Sequence, residues 1–140
     1  MDDFSRQFEA DLLSILGQAR VNMEILARQT VQRLGREVVE ATPVDTGNLR
    51  AHWQPSLNAP SNVADPGDPG AKIALTVINL RLGQTFYMTN SAAYALRIEY
   101  GFVGADRLGR VYNQPGRFFV ARTLAAWPAI ATRVRLELEN

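Results

Sequence analysis

The residues best placed to do chemistry are Val44-Asp45-Thr46-Gly47. A carboxylate set in a glycine turn can supply half of a catalytic aspartate pair. Two such aspartates brought together share a proton, because charges about 3 Å apart cannot both ionise. The same residues have a structural reading. Asp45 can accept hydrogen bonds from the amides of Gly47 and Asn48 as an Asx-turn or a helix N-cap. Thr46 can do so more weakly, and Gly47 can take φ > 0 at little steric cost. Arg50 is near enough in sequence to pair with Asp45 or another carboxylate. In this reading the stretch is a hinge that fixes the angle between a helix and a sheet.

The remaining candidates are sparser. His52 lies on the polar side of an expected strand, where a lone histidine is solvated more often than catalytic. No Ser-His-Asp set is nominated. Glu99 closes a short helix ahead of Tyr100 and is expected to pair with an arginine of this chain or the next. Gly101-Phe102-Val103-Gly104 and Arg107-Leu108-Gly109-Arg110 contain glycines but match no phosphate loop. Arg20, Arg28, Arg33 and Arg36 could line a nucleic-acid surface. They are interleaved with Glu24, Glu37 and Glu40, which favours a solvated or interfacial face.

Composition narrows the classes further. The 140 residues suffice for one domain with a single core, and 46% hydrophobic with 21% charged residues is globular. The net charge of +1 leaves no strong footprint for nucleic acid or an anionic membrane. The 15 basic residues are 14 arginines and Lys72. Arginine is common at interfaces, and a GC-rich genome gives the same bias. There is no cysteine and one histidine. Disulfides, thiol catalysis, Cys-based zinc and a multi-histidine site within one chain are excluded. No cofactor or metal is expected. No apolar run approaches the roughly 20 residues of a membrane span. The acidic Met1-Asp2-Asp3-Phe4 start lacks a signal-peptide core, so synthesis in the cytoplasm is expected.

The elements that must position these residues follow from periodicity. Phe4, Phe8, Leu12, Ile15, Ala19, Met23, Leu26, Leu34 and Val38 recur in steps of three and four, with Thr30 filling a gap. They predict one helix over residues 3–41, with Gly17 a place for a break or bend. Unbroken, it would be about 55 Å long, against about 30–40 Å for a globule of this size. Part of it should project and need a partner from another chain. Pro43 should end it.

Residues 42–101 predict a sheet and a short helix. Leu49, Ala51, Trp53, Pro55 and Leu57 alternate as a first strand, and 58–70 form a Pro/Gly loop. Ala71, Ile73, Leu75 and Val77 alternate as a second strand, and 85–90 make a third. A helix from Ala92 to Tyr100 should end at Gly101, with Tyr94, Ile98 and Leu96 facing the core. Residues 102–114 read as a loop.

Pro115-Gly116 then opens a C-terminal helix, 115–138, kinked near Trp127 by Pro128. Its core face would carry Phe118, Phe119, Leu124, Trp127, Ile130, Val134 and Leu138. The tail 133–139 also alternates, so a closing strand is the alternative there. The expected class is α+β, one domain over 1–140. It comprises a long N-terminal helix, a small antiparallel β-sheet of three to four strands, a short helix and a C-terminal helix.

Two families resemble parts of this chain. Val44-Asp45-Thr46-Gly47 is similar to the aspartate signature of retroviral-type proteases, where the aspartate follows a strand in a nearly all-β chain. Here a long helix and Pro43 precede it and Asn48 follows. More of the chain resembles a family of tailed-bacteriophage neck and tail proteins, labelled minor tail component, tail completion or head–tail joining protein. Thr42-Pro43-Val44-Asp45-Thr46-Gly47-Asn48-Leu49-Arg50 is similar to its Thr-Pro-Val-Asp-Thr-Gly-x-Leu-Arg signature. Asn90-Ser91-Ala92-Ala93-Tyr94-Ala95-Leu96-Arg97-Ile98-Glu99-Tyr100-Gly101 looks like its second signature. Gln114-Pro115-Gly116-Arg117-Phe118-Phe119 is similar to the segment opening its last helix. The three occur in the family's order, over about residues 20–135, with Trp53 and Pro128 as departures.

The resemblance implies a non-enzymatic subunit of a homo-oligomeric, commonly hexameric ring at the head–tail junction. Its partners would be connector, adaptor or stopper proteins and the tail terminator or tube, with non-specific DNA contact in the channel and no membrane. Its place would be the virion neck or tail, after assembly in the host cytoplasm. A tail terminator, tail-tube or assembly protein is the nearest alternative. Pro43, Asp45, Thr46, Gly47, Leu49, Arg50, Tyr94, Glu99, Gly101, Pro115 and Gly116 would be structural motif residues.

Overall fold

The computed structural model describes residues 2–44 and 47–140. Expectations for Asp45 and Thr46 lie outside the described residues. Helix α1 spans Asp3–Ala41, and the Asp2 carboxylate accepts from the Ser5 amide at 2.7 Å as its N-cap. It runs through Gly17 without a break. Thr42 turns extended at φ −65°, ψ 127°, as a residue before proline must. The order continues with α2 (Asn48–Ala51), β1 (Trp53–Leu57), α3 (Pro69–Val77), β2 (Phe86–Asn90) and α4 (Ala95–Tyr100). It closes with β3 (Gly101–Ala105), β4 (Val111–Pro115), α5 (Phe119–Ala125) and α6 (Trp127–Glu139).

The α+β class, the long first helix and the antiparallel pairing are as expected. The strands fall into two separate pairs, β1–β2 and β3–β4. Trp53 faces Asn90 and Leu57 faces Phe86 in the first; Gly101 faces Pro115 and Ala105 faces Val111 in the second.

Three segments depart from expectation. Residues 48–51 form one helical turn instead of strand, because Gly47 at φ 82° turns the chain and Leu, Arg and Ala favour helix. Residues 69–77 form a helix instead of the second strand. Asp68 caps it by accepting from the Gly70 amide, and Pro69 sits in its first turn. Pro69, Ile73 and Val77 are buried at steps of four, while Leu75, on the expected strand face, is 68% exposed. Residues 101–115 form a hairpin instead of a loop. Its tip is tied by Asp106, whose carboxylate accepts from the Leu108 and Arg110 amides.

At the C-terminus, Pro128 acts as expected. It lies in the first turn of α6, and α5 stops at Ala126. The tail is helix, not strand, because Ile130 and Val134 are buried one turn apart. Phe119 is buried too, but Leu124, Trp127, Phe118 and Leu138 are exposed.

The C-terminal half of α1 is the axis of the body. Val38 packs with Leu49, Trp53 and Phe119 in the core. At Gly35 a Cβ would come within 3.3 Å of Ile73, so α3 approaches closely there. Arg28 Nε donates to the Leu80 carbonyl (2.8 Å), and Glu24 accepts from the Leu82 amide (3.3 Å). Helix α6 lies antiparallel along α1: Ala126 is near Glu40, Glu137 is bonded to Arg33, and Leu138 is beside Ile25.

Arg33 holds Glu137 in a two-pronged pair, with both contacts at 2.9 Å. These bonds from Arg33 hold the Glu137 carboxyl below its ordinary pKa. With the folded pKa depressed, the unfolded chain binds more protons. The stabilisation is therefore present above the unfolded glutamate value, about 4.3, and is lost as pH falls through the folded one. Both side chains are substantially exposed, so the effect is small and screened by salt. Glu137→Gln should flatten the acid limb of stability below about pH 5, read as the urea midpoint at low ionic strength. An unchanged acid limb would remove this pair from the account.

Residues 2–23 are exposed throughout. This first half of α1 is an arm about 30 Å long from residue 3 to residue 23. Phe4, Phe8, Ile15 and Met23 on its apolar stripe are all more than half exposed.

Candidate functional site

The segment around Thr42 and Arg50 ties the end of α1 to the chain that follows. The buried Thr42 hydroxyl donates to the Val38 carbonyl (2.6 Å) and accepts from the Trp53 indole N–H (2.8 Å). Arg50 Nη2 donates to the carbonyls of Glu40 and Thr42, both at 2.9 Å. These carbonyls belong to the negative end of α1, where a cation is favoured. Arg50 thus meets backbone carbonyls here; any pairing with Asp45 lies outside the described residues. Its Nε is buried and has no hydrogen-bond partner among the described residues.

Gly47 stands in the left-handed region before α2, and among the described residues nothing lies within 4 Å of where a Cβ would go. The cost of a side chain there is conformational alone. Gly47→Val should lower stability by about 1–3 kcal/mol, and Gly47→Asn by less, since asparagine tolerates this region. Urea midpoints of the two variants check this; equal losses would rule out a φ-based role.

The first two signatures meet. The Asn90 side chain donates to the Leu49 carbonyl (2.7 Å), and the Asn48 side chain donates to the Tyr94 hydroxyl (2.8 Å). Leu49 is buried, with Ala92, Ala95 and Ile98 against its cluster. Tyr94 and Leu96 were expected in the core; Tyr94 is 38% and Leu96 73% exposed. One turn of α4 can present only one face to the core, and Ile98 occupies it. An open groove runs between Pro43, Leu49, Tyr94, Ile98 and Arg117.

The second and third signatures interlock through backbone. Ile98 and Glu99 carbonyls accept from the Arg117 (2.8 Å) and Phe118 (3.0 Å) amides. A Cβ at Gly116 would lie 2.6 Å from the Glu99 carbonyl oxygen. One at Gly101 would lie 2.7 Å from both the Gln114 oxygen and the Gly116 nitrogen. Gly101 itself holds φ 86°, ψ 170°. Phe118 enters α5 in the left-handed region at φ 50°, and its ring meets Tyr100 edge-on.

Glu99 completes the seam. It is buried, and its two carboxylate oxygens accept from the Val120 (3.0 Å) and Ala121 (3.1 Å) amides. Within this chain the carboxylate meets not an arginine but the unpaired donors in the first turn of α5, where negative charge is favoured.

The β3–β4 hairpin leaves the seam with two different faces. On one, Arg97 stacks over Phe102 at 3.9 Å, and Phe102 packs on Tyr112. On the other, Val103, Ala105, Val111 and Pro115 are all exposed. At the tip, partial burial opposes the Asp106 charge. Hydrogen bonds from Arg110, the Leu108 amide and Tyr112 outweigh it and hold the pKa below the ordinary aspartate value.

Of the expected motif residues, Pro43, Gly47, Leu49 and Arg50 stand together at the end of α1. Glu99, Gly101, Pro115 and Gly116 stand together at the seam, with Tyr94 between the groups. Thr42 falls outside that set, although a threonine before a proline is a local capping signal, and Asn90 accepts from the Ala92 amide at 2.9 Å, as its place ahead of a helix calls for. Among the described residues, no group of three His, Asp or Glu side chains could hold a metal ion. No described helix is long and apolar enough to cross a membrane. No protein-family model matches the chain, and no curated protein or solved structure is detectably similar to it.

Proposed function

We propose that this chain is a structural ring subunit of a tailed-phage or phage-like neck. It would join or complete the tail at the head–tail interface, around the DNA channel. The observation that carries the reading is the arm: residues 2–23 of α1 are exposed along an apolar stripe. An unpartnered apolar face of this size marks an interaction surface. The resemblance of the three signature segments to neck and tail proteins supplies the kind of assembly. Their convergence at one site supports treating them as one structural unit rather than three chance matches. The role is non-catalytic, and the partners are further copies and the neighbouring neck or tail proteins.

The test is removal of the gene from a producing host. Filled heads and free tails that fail to join, rescued by the gene supplied in trans, are the expected result. Normal joined particles in the deletion strain would overturn it. Asp45→Asn should rescue joining as well as the unaltered gene, whereas a dimeric protease acting through this aspartate would lose its activity.

A further inference from the structure

Resting on that ring reading, we propose how the subunits join: the α1 arm of one copy lies on the exposed face of the β3–β4 hairpin of the next. Each surface is incomplete by itself. The arm has Phe4 at 80% and Leu12 at 45% exposure along one stripe, with Phe8 and Ile15 between these values. The hairpin is a lone pair of strands, which is marginally stable without cover. Its outer face shows Val103 and Val111 at 78% and 82% exposure, beside Ala105 and Pro115.

The charges of the two surfaces are complementary. Residues 2–16 carry Asp2, Asp3, Glu9 and Asp11 against Arg6 alone. At about 3.6 residues per turn, Glu9 and Asp11 fall on opposite borders of the apolar stripe. The hairpin and its exit carry Arg107, Arg110 and Arg117 against Asp106, which Arg110 already neutralises at 2.6 Å. Arm against arm would instead bring two sets of four carboxylates together, which like-charge repulsion disfavours.

The placement of the two surfaces dictates the symmetry. Phe119 of α5, just past the hairpin, packs with Val38 near the C-terminal end of α1. That is about 22 Å along α1 from Met23, where the arm ends. The two surfaces lie at opposite ends of a rigid helix and cannot cover each other within one chain. A head-to-tail contact uses both, and repeating it either closes a ring or grows a filament.

The chain has no cysteine, so introduced thiols report contacts without background. The full chain carrying both Leu12→Cys and Val111→Cys should give a ladder of disulfide-linked oligomers under mild oxidation, resolved on a non-reducing gel. Leu12→Cys alone and Val111→Cys alone should stay single chains, and mixing them should give a covalent dimer and nothing larger. Circular dichroism and urea midpoints matching the unaltered chain show that each variant is folded. Dimers from Leu12→Cys alone would replace this interface with arm–arm pairing. No ladder from a chain that light scattering shows to be oligomeric would overturn the interface and leave the ring reading standing. A chain that stays monomeric at every concentration would overturn both. Joined particles in the gene-deletion strain would overturn the neck role while leaving the interface to the gel.

Discussion

Gly101→Ala should lose about 4 kcal/mol of stability, a large share of the roughly 5–15 kcal/mol that holds a domain folded. Two separate costs add to that figure. At φ 86°, ψ 170° Gly101 stands in backbone space reserved for glycine, and forcing an L-residue there costs about 1–3 kcal/mol. A Cβ would also sit 2.7 Å from two backbone atoms, the Gln114 oxygen and the Gly116 nitrogen. Backbone cannot rotate away as a side chain can, so the seam must open; overpacking of this kind costs about 1–3 kcal/mol or more. Gly116→Ala lacks the φ term but meets the Glu99 carbonyl at 2.6 Å, so it should cost about 2–3 kcal/mol. Because both alanines pry open one seam, the double variant should lose less than the sum. Urea unfolding of the three variants reads these values. A Gly101→Ala midpoint equal to that of the unaltered chain would mean the backbone contact is not tight.

Glu99→Ala should cost about 3 kcal/mol. It removes two charge-assisted hydrogen bonds, from the amides of Val120 and Ala121, and leaves both part-buried donors without that partner. Glu99→Gln separates charge from shape. One oxygen still accepts, but the amide nitrogen now faces an N–H donor, so a loss of about 1–2 kcal/mol remains. The effect should reach Phe119, the 1% exposed core residue that opens α5. Hydrogen exchange would show it as faster exchange in α5 with α1 near Thr30 unaffected. If Glu99→Gln were as stable as the unaltered chain, the carboxylate would not be holding that helix.

Thr42, Trp53 and Arg50 bind the end of α1 to the chain just beyond it, over a span of 12 residues. Glu99, Gly101 and Gly116 hold the hairpin and α5 in place. Together they fix the direction of the hairpin relative to the core end of α1, and α1 carries the arm as one unbroken helix. An assembly that joins arm to hairpin needs that geometry set before the subunits meet.

The sequence alone determined α1, its length, its end before Pro43 and the projection of part of it; that the first half projects came from the structure. A stripe at steps of three and four is a local signal, and a 39-residue helix is longer than the body that could cover it. It also determined that Gly47 and Gly101 would take positive φ, since turn and helix-end positions call for glycine. Tertiary structure decided α3 between two local signals, an Asp68-Pro69 helix start and a strand-like alternation. Ile73, Leu75 and Val77 alternate as a strand would, and what makes the segment a helix is burial of Pro69, Ile73 and Val77 together. The partner of Glu99 was hidden for the same reason, because the amides of Val120 and Ala121 lie 21 and 22 residues away. Nor could spacing show that Gly116 is glycine because another backbone passes within contact of it. Periodicity reads what each residue shares with its neighbours along the chain; caps and close approaches between distant segments exist only once the chain has folded.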